Sequence, residues 1–248
     1  MGKETQPYSG VARRSFFAWT LKAGAFLSVL AAVPSRVLAF FVDDFPVRSV
    51  EKSTFRFNLE NGMIRWNSKR EDPYTLTVDG LVEKKIAFTY DDVQKFRLVT
   101  QVSDFHCVEG WSVADVAWSG FRFSEILQRV KPKPEAKYAI FHALGETNYK
   151  PDGLGHYVES FPVGQLLEPG KECLLALSLN GKPLSHDHGA PLRVVAPYEL
   201  GYKSIKYVTR IELSSKPQKG WWTLSNPIYP IDAPVPKSRL RKKTDGKS

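Results

Sequence analysis

Between residues 74 and 213 the chain is a succession of short β-favouring runs, with only two brief helical patterns among them. Tyr74–Gly80 alternates like a half-buried strand and ends in an Asp79-Gly80 turn. Ile86–Thr89, Leu98–Phe105, Lys137–Ala143, Cys173–Leu179, Leu192–Ala196 and Ile205–Leu213 also read as strands, and Cys173–Leu179 is apolar enough to be buried on both faces. Helical character is expected over Thr89–Phe96, with Asp91 and Asp92 in the first turn. A second helix is expected after Ser124 as N-cap, where Ile126, Leu127 and Val130 share one face until Pro132 and Pro134 stop it. From 145 to 169, glycines and prolines mark loops around one extended piece, His156–Phe161. Loops of this length often shape the mouth of a site.

One of these runs delivers the chain to Cys107, in Asp104-Phe105-His106-Cys107-Val108-Glu109-Gly110-Trp111-Ser112. A thiolate on a turn at a strand end is a soft donor held by a rigid element, which suits metal ligation. The same residue could be a small buried hydrophobe packed beside a tryptophan. It could also be a nucleophile, which needs a histidine as base. His106 is poorly placed, because neighbours on a strand point to opposite faces, so His142 or His156 would have to approach. A disulfide to Cys173, the other cysteine, would compete with ligation in an oxidising compartment, but Cys173 opens a buried run and reads as structural. In Ser185-His186-Asp187-His188 the two histidines lie on one side of an extended chain, as zinc ligands can, yet no second ligand group clusters nearby and His186 reads as exposed.

With 248 residues and 42% hydrophobic content, the chain can bury one large core or two small ones. Of the +9 formal charge, Met1–Ala39 contributes +4 through Lys3, Arg13, Arg14, Lys22 and Arg36 against Glu4, leaving +5. Much of the rest lies in a tail with Lys237, Arg239, Arg241, Lys242, Lys243 and Lys247, which reads as solvated and argues against a nucleic-acid surface. Residues 1–39 have the parts of a twin-arginine export signal: the pair Arg13-Arg14, an apolar stretch Phe16–Val33 interrupted by Lys22, and a cleavage site at Val37-Leu38-Ala39. The expected location is periplasmic or otherwise extracytoplasmic, with a retained N-terminal anchor as the alternative. Residues 40–72 are irregular and charge-rich, and the Pro-rich basic end, 214–248, reads as extended, with Trp221-Trp222 packing back on the body.

Phe105-His106-Cys107-Val108-Glu109-Gly110-Trp111-Ser112, followed by Ala117-Trp118-Ser119-Gly120-Phe121, resembles the cofactor-ligand segment of the sulfite oxidase superfamily of molybdopterin enzymes. The version here is most similar to its periplasmic protein-methionine-sulfoxide reductase branch. A second block resembles the pterin-binding part of that superfamily: Asn180–Leu184, then His188-Gly189-Ala190-Pro191-Leu192-Arg193, then Gly201-Tyr202-Lys203-Ser204-Ile205-Lys206. The likeness spans roughly residues 74–213. It implies an α+β, sulfite-oxidase-type fold of mixed β-rich sheets with short helices, occupying 40–213 as one monomeric catalytic domain. It implies one molybdopterin, with Cys107 as catalytic residue and sole protein ligand to molybdenum. Contacts to the pterin would come from Phe55, Arg56, His188, Arg193, Ser204, Ile205 and Lys206, with Gly189 and Gly201 where a side chain would obstruct. The twin-arginine route, as families using it imply, carries proteins already folded around such a cofactor.

The implied reaction moves one oxygen atom with two electrons. Sulfite oxidases follow the ligand cysteine with an asparagine and arginines, whereas Val108, Glu109, Gly110 and Trp111 stand here, so reduction of a sulfoxide-type substrate is favoured over sulfite oxidation. His106 replaces an arginine common in the reductase branch, His188 stands where that branch tends to have asparagine, and Ala143 lies near its usual threonine. The alternative from another class is an exported binding module that keeps the fold without metal. The sequence has no Cys-x-x-Cys-His and no iron–sulfur cysteine set, so electrons require an external carrier such as a haem membrane subunit or a cytochrome.

Overall fold

Strands form in this chain wherever apolar side chains fall on every second position, including places where charge disguises the pattern. The computed structural model describes residues 47–240; the export signal expected at 1–39 lies outside the described residues. The first elements are β1 (Phe55–Asn58), β2 (Met63–Trp66) and β3 (Glu71–Pro73), an antiparallel sheet in that order. Phe55 and Ile64 are buried while Arg56 and Arg65 face out opposite each other. The reversal between β1 and β2 is an Asx turn in which Asn58 and Asn61 side chains accept from the Glu60 and Met63 amides, with Gly62 at φ 67°.

Then come β4 (Thr75–Gly80), β5 (Ile86–Thr89), α1 (Tyr90–Gln94), β6 (Leu98–His106), β7 (Ser112–Phe121), α2 (Phe123–Val130) and β8 (Tyr138–Ala143). After the loop follow β9 (Val158–Pro162), α3 (Val163–Leu167), β10 (Leu174–Leu179), β11 (Lys182–Pro183), β12 (Arg193–Val195), β13 (Val208–Ser214) and α4 (Trp221–Ser225). One five-stranded sheet has the order β5-β4-β13-β8-β9, with β4 and β13 parallel. The other has the order β11-β10-β7-β6, with β12 also paired to β10. The result is strand-rich and mixed, with few short helices, as expected.

Local chemistry explains the boundaries. Thr89 and Asp92 form a reciprocal capping box that starts α1. Helix α2 starts differently from the expectation: Arg122 is its N-cap, no side chain caps it, and Ser124 lies inside the first turn. What holds α2 is the buried face of Phe123, Ile126, Leu127 and Val130, packed in the main core. The expected strand Ile205–Leu213 begins only at Val208, because Ser204–Tyr207 are drawn into the loop described below.

Over Leu174–Ala176 strand β10 buries both faces, while β7 buries one face through Val116 and Trp118 and the other only at Phe121. One side joins the main core through Phe121 and Leu175; the other builds a second cluster from Val116, Trp118, Leu174, Ala176 and Val195. Gly120 permits their approach, since a Cβ there would lie 2.0 Å from the Leu175 carbonyl oxygen. From 214 to 240 the Pro-rich segment is also more regular than its prolines suggest: Trp221 opens the short helix α4, and Trp221, Ala233 and Val235 are buried.

Candidate active site

Strands β6 and β7 pair as a hairpin through His106 and Ser112, and the connection between those residues carries Cys107. The turn is closed by two backbone bonds, Cys107 N to Trp111 O at 2.9 Å and Gly110 N to Cys107 O at 3.2 Å. Gly110 sits at φ 99°, a conformation that explains glycine between a glutamate and a tryptophan. Cys107 is 9% exposed, and burial pushes its thiol up. Its polar neighbour is Glu109, whose Oε2 lies 4.0 Å from the sulfur. Bonds from Trp111 Nε1 (3.1 Å) and Arg48 Nε (3.2 Å) fix that carboxylate and hold it below its ordinary range.

Among the described residues no histidine nitrogen bonds the Cys107 sulfur. His106 Nδ1 shares a hydrogen bond with Ser112 Oγ at 2.8 Å, while His142 and His156 pair with each other at 2.9 Å. The nucleophilic-cysteine reading therefore lacks its base. Both cysteines are free, and the Cys173 thiol, pushed up to about 11 by burial, faces Tyr198 Oη at 3.6 Å.

Cys107 opens onto a cavity of about 220 Å³. Six residues singled out from the sequence line it: Cys107, His188, Arg193, Ser204, Ile205 and Lys206. Phe55 and Arg56 do not; they line a neighbouring cavity of about 100 Å³ with His186 and Tyr207. Phe55 is a packing residue there, 1% exposed and edge-on to His186 and Tyr207. The two cavities share Ser49, Glu51 and Asp187. Within the charge-rich segment 40–72 the lining residues are Val47–Glu51 and not Phe55 and Arg56, and Trp222 and Tyr229 join them without any sequence signal beyond the packing expected of the adjacent tryptophans.

Positive charge is concentrated in the part of the lining formed by Arg193 and Lys206, where Arg193 packs over Phe105 and Trp118 of the hairpin strands. Arg193, 4% exposed, donates from Nη1 to His188 O (3.0 Å) and from Nη2 to Ser204 O (3.1 Å), lies over the Trp118 ring at 5.1 Å, and leaves Nε without a partner. Burial lowers its pKa to about 10. Lys206 Nζ donates to the carbonyls of Arg48 (3.1 Å) and Asp187 (3.2 Å) and to Ser49 Oγ, and burial lowers it to about 8. Neither cation forms an ion pair with a carboxylate of the described residues.

The family model for the oxidoreductase molybdopterin binding domain matches residues 63–222. The chain belongs to this family. Two curated relatives are protein-methionine-sulfoxide reductase catalytic subunits MsrP. That of Pseudomonas syringae pv. tomato is 32% identical over 62% of this chain and 48% of its own length. That of Campylobacter jejuni subsp. jejuni is 32% identical over 60% of this chain and 52% of its own. The chain thus spans about half the length of these relatives. Among solved structures, the sulfane dehydrogenase SoxCD from Paracoccus pantotrophus matches with a TM-score of 0.51 and 25% identity, covering 59% of this chain and 39% of that one. The sulfite-oxidase-type molybdopterin-binding fold and the molybdenum-dependent oxidoreductase class expected from the two sequence blocks are thereby established.

The residues of this molybdopterin-binding domain suit the group its family takes. An anionic pterin phosphate and dithiolene would add counter-charge to two buried cations that feel Glu51 but form no ion pair among the described residues, and would give the orphaned Arg193 Nε a partner. Cys107 in the lining would offer a soft donor. Two details differ from the expectation. The Ser204 and Ile205 amides are already used, donating to the Gly201 and Lys203 carbonyls. The glycines face protein: a Cβ on Gly189 would lie 2.9 Å from Lys206 Cβ, and one on Gly201 would lie 2.4 Å from the Phe105 ring. For zinc there is no support, since no cluster of three His, Cys, Asp or Glu occurs among the described residues and His186 is half-buried against Phe55 instead of exposed.

Proposed function

We propose that this domain reduces a sulfoxide-type substrate by oxygen-atom transfer, with Cys107 as the protein's ligand to molybdenum and electrons supplied by an external carrier. The observation that carries the reading is that Cys107 lines one cavity together with the buried cations Arg193 and Lys206 and with Trp111, Trp222 and Tyr229. When bound, the molybdenum–pterin group supplies a two-electron centre that takes up or releases one oxygen atom. In balance, a sulfoxide, two electrons and two protons enter, and a thioether and water leave.

The chain's own residues divide the work. Arg193 and Lys206 would hold negative charge in the cavity, and His188, fixed through Nδ1 by Ser185 Oγ at 2.8 Å, borders the same space. Val108, Trp111, Trp222 and Tyr229 line the cavity and exclude water from the reacting atoms, and such rings favour contact with a neutral sulfur substituent. Glu109 disfavours an anion such as sulfite, because its carboxylate sits 4.0 Å from the ligand sulfur. Phe55 and Arg56, beside the second cavity, are proposed to meet the far end of the pterin.

No haem-attachment motif occurs in the sequence, which supports a separate carrier such as a haem subunit or cytochrome, and the relatives' description as catalytic subunits agrees with that. Arg13-Arg14 supports export, with 1–39 as the signal and the periplasm as destination. No helix of the described residues is long and apolar enough to cross a membrane. The deciding experiment is oxidation of a reduced dye by molybdenum-loaded protein against sulfoxides, N-oxides and sulfite. Turnover of sulfoxides that disappears in Cys107→Ser is expected; sulfite as the preferred substrate, or no sulfoxide turnover, would overturn the proposal.

A further inference from the structure

We propose that Arg239 is a positioning residue for the Cys107 turn, and that the segment bearing it joins the two walls of the cavity. The inference rests on the reading of Cys107 as the metal ligand. Arg239 reaches back 132 residues to the hairpin: Nη1 donates to Cys107 O at 2.8 Å, and Nη2 donates to Trp111 O at 2.5 Å and to Ser112 Oγ at 2.8 Å. These groups bracket the turn, so one rigid guanidinium fork sets the direction in which Cys107 leaves β6. Ser112 Oγ also bonds His106 Nδ1, which ties both ends of the hairpin connection to the same cation.

The approach to Arg239 is itself anchored. Ala233 N donates to Glu199 Oε2 at 2.6 Å, Ala233 O accepts from Leu200 N at 2.8 Å, and Val235 N donates to Tyr198 O at 2.9 Å. Residues 198–200 lead directly into Gly201–Lys206, the loop that brings Lys206 to the cavity lining. A single strap, residues 233–239, therefore bonds the pterin side and the sulfur side of the cavity. It lies beyond residue 222, where the family match ends, so it is a feature of this chain outside the shared domain.

The test alkylates metal-free, full-length protein with iodoacetamide and follows Cys107 and Cys173 separately by peptide mapping, comparing the unaltered chain with Arg239→Gln and Arg239→Lys. Because Arg239 also lowers the Cys107 pKa, rates are compared per thiolate, with each variant's thiol ionisation taken from its own pH–rate profile; on that scale loss of the charge-assisted bonds is expected to raise the Cys107 rate roughly tenfold in Arg239→Gln, with Arg239→Lys between the two and Cys173 unchanged. In molybdenum-loaded protein the same substitution should broaden the Mo(V) paramagnetic resonance signal. An unchanged Cys107 rate in both variants, or an equal rise at Cys173, would overturn the positioning role; if Arg239→Gln does not fold, Arg239→Lys decides alone. Failure of the underlying reading shows separately, as absence of molybdenum from the unaltered protein while the alkylation difference persists.

Discussion

Replacing Lys203 by methionine isolates a buried ion pair behind the cavity lining. Lys203 Nζ lies 2.6 Å from Glu159 Oε2 and 3.0 Å from Ser160 O, with side-chain exposures of 2% and 1% for the lysine and the glutamate. It thereby fastens the Gly201–Lys206 loop to β9. Glu159 Oε1 has no hydrogen-bond partner, so the carboxylate depends on this lysine alone. Removing one member of a buried pair typically costs about 3–5 kcal/mol, because the other charge is left uncompensated. The cost should depend on pH in a definite sense. Burial raises Glu159 from 4.5 to about 7, against the pull of Lys203, so the folded protein holds a proton that the unfolded chain releases between those values. That contribution favours the fold below about pH 4.5 and is lost as pH rises through the folded value. Without Lys203 the folded pKa moves higher still. Urea unfolding should therefore show the full penalty near pH 8 and a much smaller one near pH 5, and Glu159→Gln in the Lys203→Met background should recover most of the loss near pH 8. A penalty under about 1 kcal/mol near pH 8, or one independent of pH, would refute the reasoning.

Other substitutions probe other links. Gly201→Ala drives a methyl against the Phe105 ring and should cost about 1–3 kcal/mol in urea unfolding; an unchanged midpoint would show that Phe105 can move aside. Glu109→Arg places a cation beside the Cys107 sulfur and should raise sulfite turnover relative to sulfoxide turnover roughly tenfold in the dye assay, whereas an unchanged ratio would remove Glu109 from substrate choice. Thr89→Ala deletes the α1 capping box away from the cavity, so stability should fall by about 1 kcal/mol while activity per bound molybdenum stays constant.

How much of this was legible beforehand follows from residue chemistry. Strands β4, β5, β6, β8 and β10 could be read because their apolar positions alternate or run continuously, as at Leu76 and Val78 or Leu174 and Leu175. Strands β1 to β3 could not, since each is four residues or fewer and half of their side chains are polar or charged. Strand β7 is masked by Ser119, Gly120 and Asp115, the last at φ 56° beside a register shift in the hairpin. The cavity residues were legible only as a family pattern, and periodicity alone would have left Arg193 an ordinary strand residue. Arg48 and Arg239 lie 61 and 132 residues from their partners in the hairpin, distances over which no local pattern carries information. Arg239 reads as part of a solvated tail until the acceptors that receive it are known, while Arg241, Lys242, Lys243 and Lys247 of that tail lie outside the described residues.

The most direct test of the whole account is molybdenum K-edge X-ray absorption on protein matured in cells that make molybdopterin, compared with Cys107→Ser. The unaltered protein should hold molybdenum in about one-to-one ratio with sulfur scatterers from one pterin and one cysteine, and the variant should lose metal or show one sulfur fewer. An unchanged sulfur shell at full occupancy in Cys107→Ser would contradict it.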